Sequence, residues 1–462
     1  MRKVLQTMII KKVAFIYLTQ EMGEYYVTDD PGYSVQRRPQ LGLQYLCSVL
    51  EKIGIKTMIF DQSVYNFRLD KLIEKLKEYD IAGFYCSDPQ EEKVKKYCKE
   101  IKKRLNIKLL VGGPSTLTNA SFLEHGCDIV VHGEGERIIW QIVDYYNGKI
   151  KIEKIKGISY KKKNKIVTNL QQELIENLDE LPFPDRSKIP IDKYYDWFLF
   201  GMKKPYTTMI ASRGCLYRCD FCTSNKIWGL RYRQRSVENV LKEIDEIVEK
   251  YGIKYLAFQD DIFGIANKWI EEFCIKLMQK PYKIRWMAIL HPFSIPNEQE
   301  RILKLMKKAG CDTLSMGLQT AHKEILKNIN RNPKEPEKLR KLLETANKIG
   351  FITSVGFIFG LPGDTKETIQ TTIDYSINCK ATLCSYYILS VLRGSELERK
   401  YRGKKITNLS SKEIEELTIK ASRKFYTNPK NLMRIAYFVF KNPSWVFNVG
   451  IKLPSILSRI GF

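Results

Sequence analysis

Short apolar runs alternate with amphipathic stretches along most of the chain, and that alternation constrains the fold more than any other feature. Residues 12–18 (KVAFIYL) read as a short buried strand, and 40–53 has helical spacing that stops at Gly54. Strands are expected at 55–60, 80–86, 107–111 and 128–132, with helices at 68–78, 91–105 and 137–147 between and after them. Strictly alternating strands and helices imply a doubly wound parallel sheet covered on both faces. Such sheets take ligands at the carboxyl ends of their strands. Two Gly-rich turns, 112–116 and 133–136, fall at those ends.

Residues 157–168 (GISYKKKNKIVT) read as a β-hairpin turning at Lys161 to Lys165, and the three prolines of 181–190 mark a linker. The alternation then resumes. Strands at 207–212, 254–260, 284–290, 313–318, 352–360 and 383–390 each precede or follow a helical stretch, the helices including 236–251, 266–279, 298–309 and 366–377. Six such units imply an open or partial α/β barrel, and beyond 406 the pattern is helical only. A chain of 462 residues without an internal repeat suits two or three domains. The expected division is a sheet domain over 1–150, a hairpin and linker over 151–198, a partial (β/α)6 barrel over 199–405 and a helical tail over 406–462. The fold class is therefore α/β.

Charge and cysteine usage narrow the setting. The 77 Lys and Arg outnumber 52 Asp and Glu, a formal excess of +25. Glu416 is the last acidic residue, yet Lys420, Arg423, Lys424, Lys430, Arg434, Lys441, Lys452 and Arg459 follow it. Residues 425–462 combine those cations with aromatics and are cut by Pro429, Pro443 and Pro454, a pattern for lying on an anionic membrane surface or for capping the barrel. No apolar run approaches the ~18 residues that span a bilayer. The first residues lack a small-residue cleavage site, so a secretory leader is not expected. Eleven cysteines, an odd number in a long chain, fit a reducing, cytoplasmic setting with free thiols. No recognised RNA module accompanies the positive charge, and no nucleic-acid partner is expected.

The sharpest chemical signal is Ser212-Arg213-Gly214-Cys215-Leu216-Tyr217-Arg218-Cys219-Asp220-Phe221-Cys222, three thiols directly after a strand. Thiolates select zinc or iron–sulfur clusters. A structural zinc site wants four closed ligands, and no Cys or His lies within fifty residues after Cys222. Three ligands on a four-iron cluster would leave one iron open. Zinc and coincidence remain the alternatives. Cys47, Cys86, Cys98, Cys127, Cys274, Cys311, Cys379 and Cys384 fall in or beside regular elements and read as small core residues.

Cys215, Cys219 and Cys222, with Phe221 before the last, resemble the CxxxCxxC signature of radical SAM enzymes. The likeness covers about 200–400: Gln259-Asp260-Asp261 ends the second barrel strand, Gly317-Leu318-Gln319-Thr320 the fourth, and Gly356 to Asp364 the fifth. Gln319 departs from the family's usual Glu, and Arg393-Gly394-Ser395 stands where relatives often have Pro-Gly-Thr. The resemblance implies a [4Fe-4S] cluster on the three cysteines, with SAM contacted by Phe221, Asp260, Asp261, Gln319 and Ile358. It implies reductive cleavage of SAM to a 5′-deoxyadenosyl radical that abstracts hydrogen from an unreactive carbon, with an electron donor such as ferredoxin or flavodoxin. No catalytic acid or base is assigned.

Residues 12–147 are similar to the cobalamin-binding domain that precedes the barrel in one branch of that family. Gly112, Gly113, Ser115 and Thr116, and Gly133, Glu134, Gly135 and Glu136, carry the likeness and are the residues that would approach cobalamin. The Asp-x-His-x-x-Gly segment is absent, and Thr19 to Gly23 follow the first strand instead, so cobalamin would bind without a protein His ligand. His125 and His132 read as ordinary polar residues, and a sheet that merely supports the barrel is the alternative. The branch implied is that of anaerobic magnesium-protoporphyrin monomethyl ester cyclase and lipid-modifying or C-methylating enzymes, with a small-molecule or lipid substrate. Two other readings stay open: methylthiolation, which lacks the three further cysteines those relatives use, and a zinc-stabilised basic nucleic-acid-binding protein.

Overall fold

A computed structural model describes residues 9–19, 36–196, 205–295 and 299–441. Thr19 is the last described residue of the segment after the first strand, so Gln20 to Gly23, like residues 442–462 of the basic tail, lie outside them. The chain divides into two compact units, 1–193 with 226–228, and 194–225 with 229–462.

In the first unit, β1 (Lys12–Tyr17), β2 (Lys56–Asp61), β3 (Ile81–Tyr85), β4 (Lys108–Gly112) and β5 (Ile129–Val131) are parallel. β6 (Ile158–Lys162) pairs antiparallel with β5 and turns back in a hairpin to β7 (Lys165–Thr168), giving the order β2-β1-β3-β4-β5-β6-β7. Parallel strands buried on both faces need near-continuous apolar sequence, which is why Val13 to Ile16 are buried throughout. The helix Glu91–Arg104 shows the other period: Val94, Tyr97, Cys98 and Ile101 point inward at helical spacing, and Glu91 and Glu92 open the first turn while Lys102 to Arg104 close the last. The order reverses between β1 and β3, the place where doubly wound sheets hold ligands.

Two sequence expectations change here. The basic turn narrows to Lys163 and Asn164, both in the left-handed region, while Lys161, Lys162 and Lys165 belong to the strands. That two-residue reversal matches the twist of a tight hairpin. The segment read as a linker is built into the first unit: β6 pairs with β5, Arg186 is buried, the Ser48 hydroxyl donates to the Phe183 carbonyl at 2.5 Å, and Lys188 pairs with Glu51 at 2.7 Å.

In the second unit, β8 (Tyr206–Met209), β11 (Tyr255–Phe258), β12 (Arg285–Leu290), β13 (Cys311–Gln319), β14 (Ile352–Phe359) and β15 (Leu383–Ile388) form one all-parallel sheet in chain order. Among the described residues β8 and β15 do not pair, so the barrel is open. The expected first strand, 207–212, is broken. β8 stops at Met209, and Ser212–Arg213 (β9) pairs antiparallel with Arg233–Gln234 (β10), which turns the chain into the cysteine loop. The core between helices 237–251 and 267–278 and the sheet packs Phe258, Phe263, Phe273 and Trp286 edge to face. Helix Ser411–Tyr426 starts on a capping box of Ser410 and Glu413, and its Tyr426 hydroxyl donates to the Cys384 carbonyl at 2.8 Å. The eight cysteines outside the loop are all buried, as the core reading expects.

Gly310 adopts φ +97°, and a Cβ there would collide with the Ile284 carbonyl oxygen. Gly310→Ala is therefore expected to destabilise the protein by roughly 1–3 kcal/mol, the usual scale of imposed backbone strain. Thermal denaturation of wild type and variant side by side checks this.

Candidate active site

The cysteine loop sits at the carboxyl end of β8, and two aspartates at the end of β11 hold its backbone. Asp260 is buried, and its carboxylate accepts from the Ala211 N–H at 3.1 Å and from the Ser212 hydroxyl. Asp261 is exposed and accepts from the Gly214 N–H at 3.2 Å. Gly214 has φ +94°, the left-handed turn that its lack of a Cβ permits. Farther along, Asp220 is buried and pairs with Lys400 at 2.6 Å, while its carbonyl takes the Leu397 N–H at 2.8 Å. That ties the loop to the helix Glu396–Tyr401, which follows Arg393-Gly394-Ser395.

The three thiols are half-buried and free. The Tyr217 N–H points to Cys215 Sγ and the Ser224 N–H to Cys222 Sγ, each at 3.4 Å. Burial pushes Cys215 up to about 11 and Cys219 up to about 12, and raises Cys222 as well. As free groups they hold their protons, so becoming thiolates requires a compensating cation such as iron. Among the described residues no three His, Cys, Asp or Glu side chains converge on one point that a single metal ion would occupy. A four-iron cluster offers each thiolate its own iron, and three soft donors on one short loop suit that chemistry.

The sequence did not reveal one basic group that reaches the loop from elsewhere in the chain. Arg331, only 9% exposed, places one guanidinium nitrogen 3.9 Å from Cys219 Sγ and another 2.8 Å from the Gly317 carbonyl. Its Nε donates to Glu335 at 2.7 Å, and the pair is buried. His291, after β12, lies 3.2 Å from Arg331 and stacks on Tyr217 with ring centroids 3.7 Å apart. Burial, then the Arg331 charge, pushes His291 down to about 3, so it is neutral. Arg213 is buried and Arg218 exposed, whereas Arg331 reaches the loop from more than a hundred residues away. Arg331 stands four residues before Glu335 in a Pro-containing stretch ahead of the helix Glu335–Ile349, so no helical spacing marked the pair in the sequence.

The other expected SAM contacts separate into two groups. Phe221 and Ile358 pack together against Ile325, Ile329 and Leu361. Gln319 ends β13 at φ +71°, beside a register irregularity, and a Cβ at Gly317 would meet its amide nitrogen at 2.5 Å. Asp364 holds the turn after β14 by accepting from the Gly360 and Leu361 N–H groups at 3.0 and 2.9 Å. Burial pushes it up to about 6.

In the first unit the Gly-rich turns also behave unequally. A Cβ at Gly113 would press on the Cys86 carbonyl at 2.6 Å, and one at Gly135 would meet Leu46 at 3.1 Å, so close packing explains both glycines. Gly112 would meet only Val131 at ordinary contact distance, and at Gly133, φ +89°, nothing lies within 4 Å among the described residues. That last turn leaves room for a ligand. The Ser115 and Thr116 hydroxyls, expected to donate to a ligand, are fully buried and bond Glu91 at 3.2 Å and the Val131 carbonyl at 2.6 Å. Glu134 accepts from the Ile175 N–H at 2.7 Å, and Glu136 is buried. His132 bonds the Thr116 carbonyl at 2.5 Å and the Ser159 hydroxyl at 2.7 Å, and His125 the Ser121 carbonyl at 3.0 Å. Both histidines of this unit thus have internal partners.

Known proteins match both units. Residues 209–376 match the radical SAM superfamily and residues 34–143 the B12 binding domain. An uncharacterized methyltransferase of Pyrococcus horikoshii is 29% identical over 423 residues, covering 86% of this chain and 89% of the relative. The anaerobic magnesium-protoporphyrin IX monomethyl ester cyclase of Cereibacter sphaeroides is 27% identical, covering 72% of this chain but only 55% of the cyclase. Among solved structures, the cobalamin-dependent S-adenosylmethionine radical enzyme OxsB, with aqua-cobalamin and S-adenosylmethionine bound, superposes with a TM-score of 0.71 at 18% identity over 95% of this chain and 72% of OxsB. The radical S-adenosylmethionine methyltransferase TsrM of Kitasatospora setae gives 0.67 at 17% identity over 85% and 75%. These likenesses extend the expected fold, a B12-type sheet before a radical SAM barrel, to both units.

Two outcomes follow. Arg331→Met strands the buried Glu335 carboxylate, so stability should drop by about 3–5 kcal/mol and iron per chain after reconstitution should fall; the double variant Arg331→Met, Glu335→Gln should recover much of the stability. Burial, opposed by the Ser212 and Ala211 hydrogen bonds, raises Asp260 from 3.8 to about 7, so the folded chain binds this proton more tightly than the unfolded one. Its stabilisation is complete below the unfolded value and is lost as pH climbs through the folded one. Relative to Asp260→Asn, wild type should lose thermal stability between pH 5 and 7 and no more above 8.

Proposed function

We propose that this chain, which joins a B12-binding domain to a radical SAM domain, is a cobalamin-dependent radical SAM methyltransferase acting on an unactivated carbon of a small molecule. The cysteine loop braced by Asp260 and Asp261 carries this reading. Methyl transfer is favoured over cyclisation because the methyltransferase relative is matched over most of its length and the cyclase over about half.

Cys215, Cys219 and Cys222 hold the cluster in this reading, and Phe221, Asp261, Gln319 and Ile358 border the space for SAM. Asp260 acts one step back, fixing Ala211 and Ser212 so that the loop keeps its shape. Arg331 sets positive charge beside Cys219, and its bond to the Gly317 carbonyl links the loop to the end of β13. When bound, the cluster supplies the electron that cleaves SAM and cobalamin supplies a methyl carrier. The Gly133 turn lies at the carboxyl edge of the first sheet, where cobalamin would approach. Reduced ferredoxin or flavodoxin serves as electron donor. The setting is cytoplasmic, with peripheral contact to an anionic membrane and a lipophilic substrate as further parts of the proposal.

Anaerobically reconstituted full-length protein, supplied with cobalamin, dithionite and methyl-deuterated SAM, should form 5′-deoxyadenosine and label one metabolite of an extract from the same cells. Cys219→Ala should reduce 5′-deoxyadenosine to background. Undiminished formation by that variant would refute the cluster assignment, and zinc without absorbance near 400 nm would refute the iron centre.

A further inference from the structure

The helix Pro429–Lys441 presents three distinct sides. One is anchored to the barrel. Phe438 is buried against Ile352 and Leu383, the Asn431 amide donates to the Phe425 carbonyl at 3.3 Å, and Arg434 donates to the Ala381 carbonyl at 2.9 Å. A second side is apolar and faces solvent: Leu432 is 48% exposed, Met433 65%, Tyr437 54% and Phe440 84%. At 100° per residue these four and Ala436 fall within one arc of about 140°. The third side carries cations. Lys430 borders the arc, and on the neighbouring helix Ser411–Tyr426 an open concavity is lined by Lys420, Arg423 and Lys424 together with Ile419 and one acid, Glu416. No acidic residue follows Glu416 in the sequence.

A helix stapled to a globular core ordinarily turns its large apolar groups inward, so Leu432, Met433 and Phe440 on the opposite side mark an interaction surface. Apolar side chains bordered by cations that outnumber the one neighbouring acid, Glu416, match the boundary between acyl chains and anionic headgroups. The helix is too short to cross a bilayer, and no helix among the described residues is long and apolar enough to do so. We propose that the Leu432, Met433, Tyr437 and Phe440 face is a peripheral docking surface for an anionic lipid bilayer, on which Lys420, Lys424 and Lys430 engage the headgroups. It gives residues to the membrane contact included in the proposed function, and it does not depend on the cluster.

Vesicle flotation of the full chain tests it, with and without the reconstituted cluster, using phosphatidylcholine vesicles with or without phosphatidylserine. Wild type should float with the anionic vesicles, at least tenfold less with neutral ones, and less as salt rises. Met433→Asp with Phe440→Asp should lower flotation about tenfold or more while leaving 5′-deoxyadenosine formation unchanged. Wild type that stays unbound, a double variant that still floats, or equal binding to neutral vesicles would each overturn the proposal. So would a wild-type dimer that the double variant converts to monomer, or flotation seen only after residues 442–462 are removed, since another copy or the chain's own end would then cover the face. Flotation without 5′-deoxyadenosine formation would instead count against the enzymatic reading alone.

Discussion

Carboxylates at strand ends, most of them buried, hold the shape of this molecule's loops. Asp260 fixes the backbone that leaves β8, Asp261 the glycine before Cys215, and Asp364 the turn after β14. Glu134 does the same for residue 175 in the first unit. A loop at the carboxyl end of a parallel sheet exposes several N–H groups that no strand partner satisfies. A carboxylate accepts two or more of them at once, which is strong enough to set a conformation. The same arrangement lets burial raise Asp260 and Asp364 well above ordinary carboxylates.

The cysteine loop shows why that bracing matters. Three thiols that burial keeps protonated become useful only when their positions suit a multivalent metal group, since flexible ligands lose entropy on binding. Contacts from β11, from the helix Glu396–Tyr401 and from Arg331 restrict the loop on several sides. Arg331 is itself held by Glu335, a pair that would be costly to break on either side.

The two sheets use glycine for different ends. At Gly113 and Gly310 neighbouring backbone comes too close for any Cβ, so these positions serve packing. At Gly133 the left-handed turn has no described residue within 4 Å of a Cβ position. Gly113 and Gly133 both lie in Gly-rich turns at carboxyl ends, and the local sequences look alike. Ser115 and Thr116 repeat the lesson, since hydroxyls suited to a ligand instead satisfy groups inside the fold.

The sequence by itself determined the two sheets, most strand limits to within a residue or two, the buried cysteines and the three thiols of the loop, because each is written in local periodicity or spacing. It did not determine that 158–188 joins the first unit, since pairing with β5 and burial of Arg186 are long-range. Nor did it yield Arg331 and His291, which lie far from Cys219 in the chain and meet the loop only after β12 and β13 align side by side. The division of helix 429–441 into an anchored and a solvent-facing apolar side was likewise decided by tertiary packing. Hydrophobic spacing marks a residue as apolar, and only the neighbouring barrel settles which apolar residues are covered.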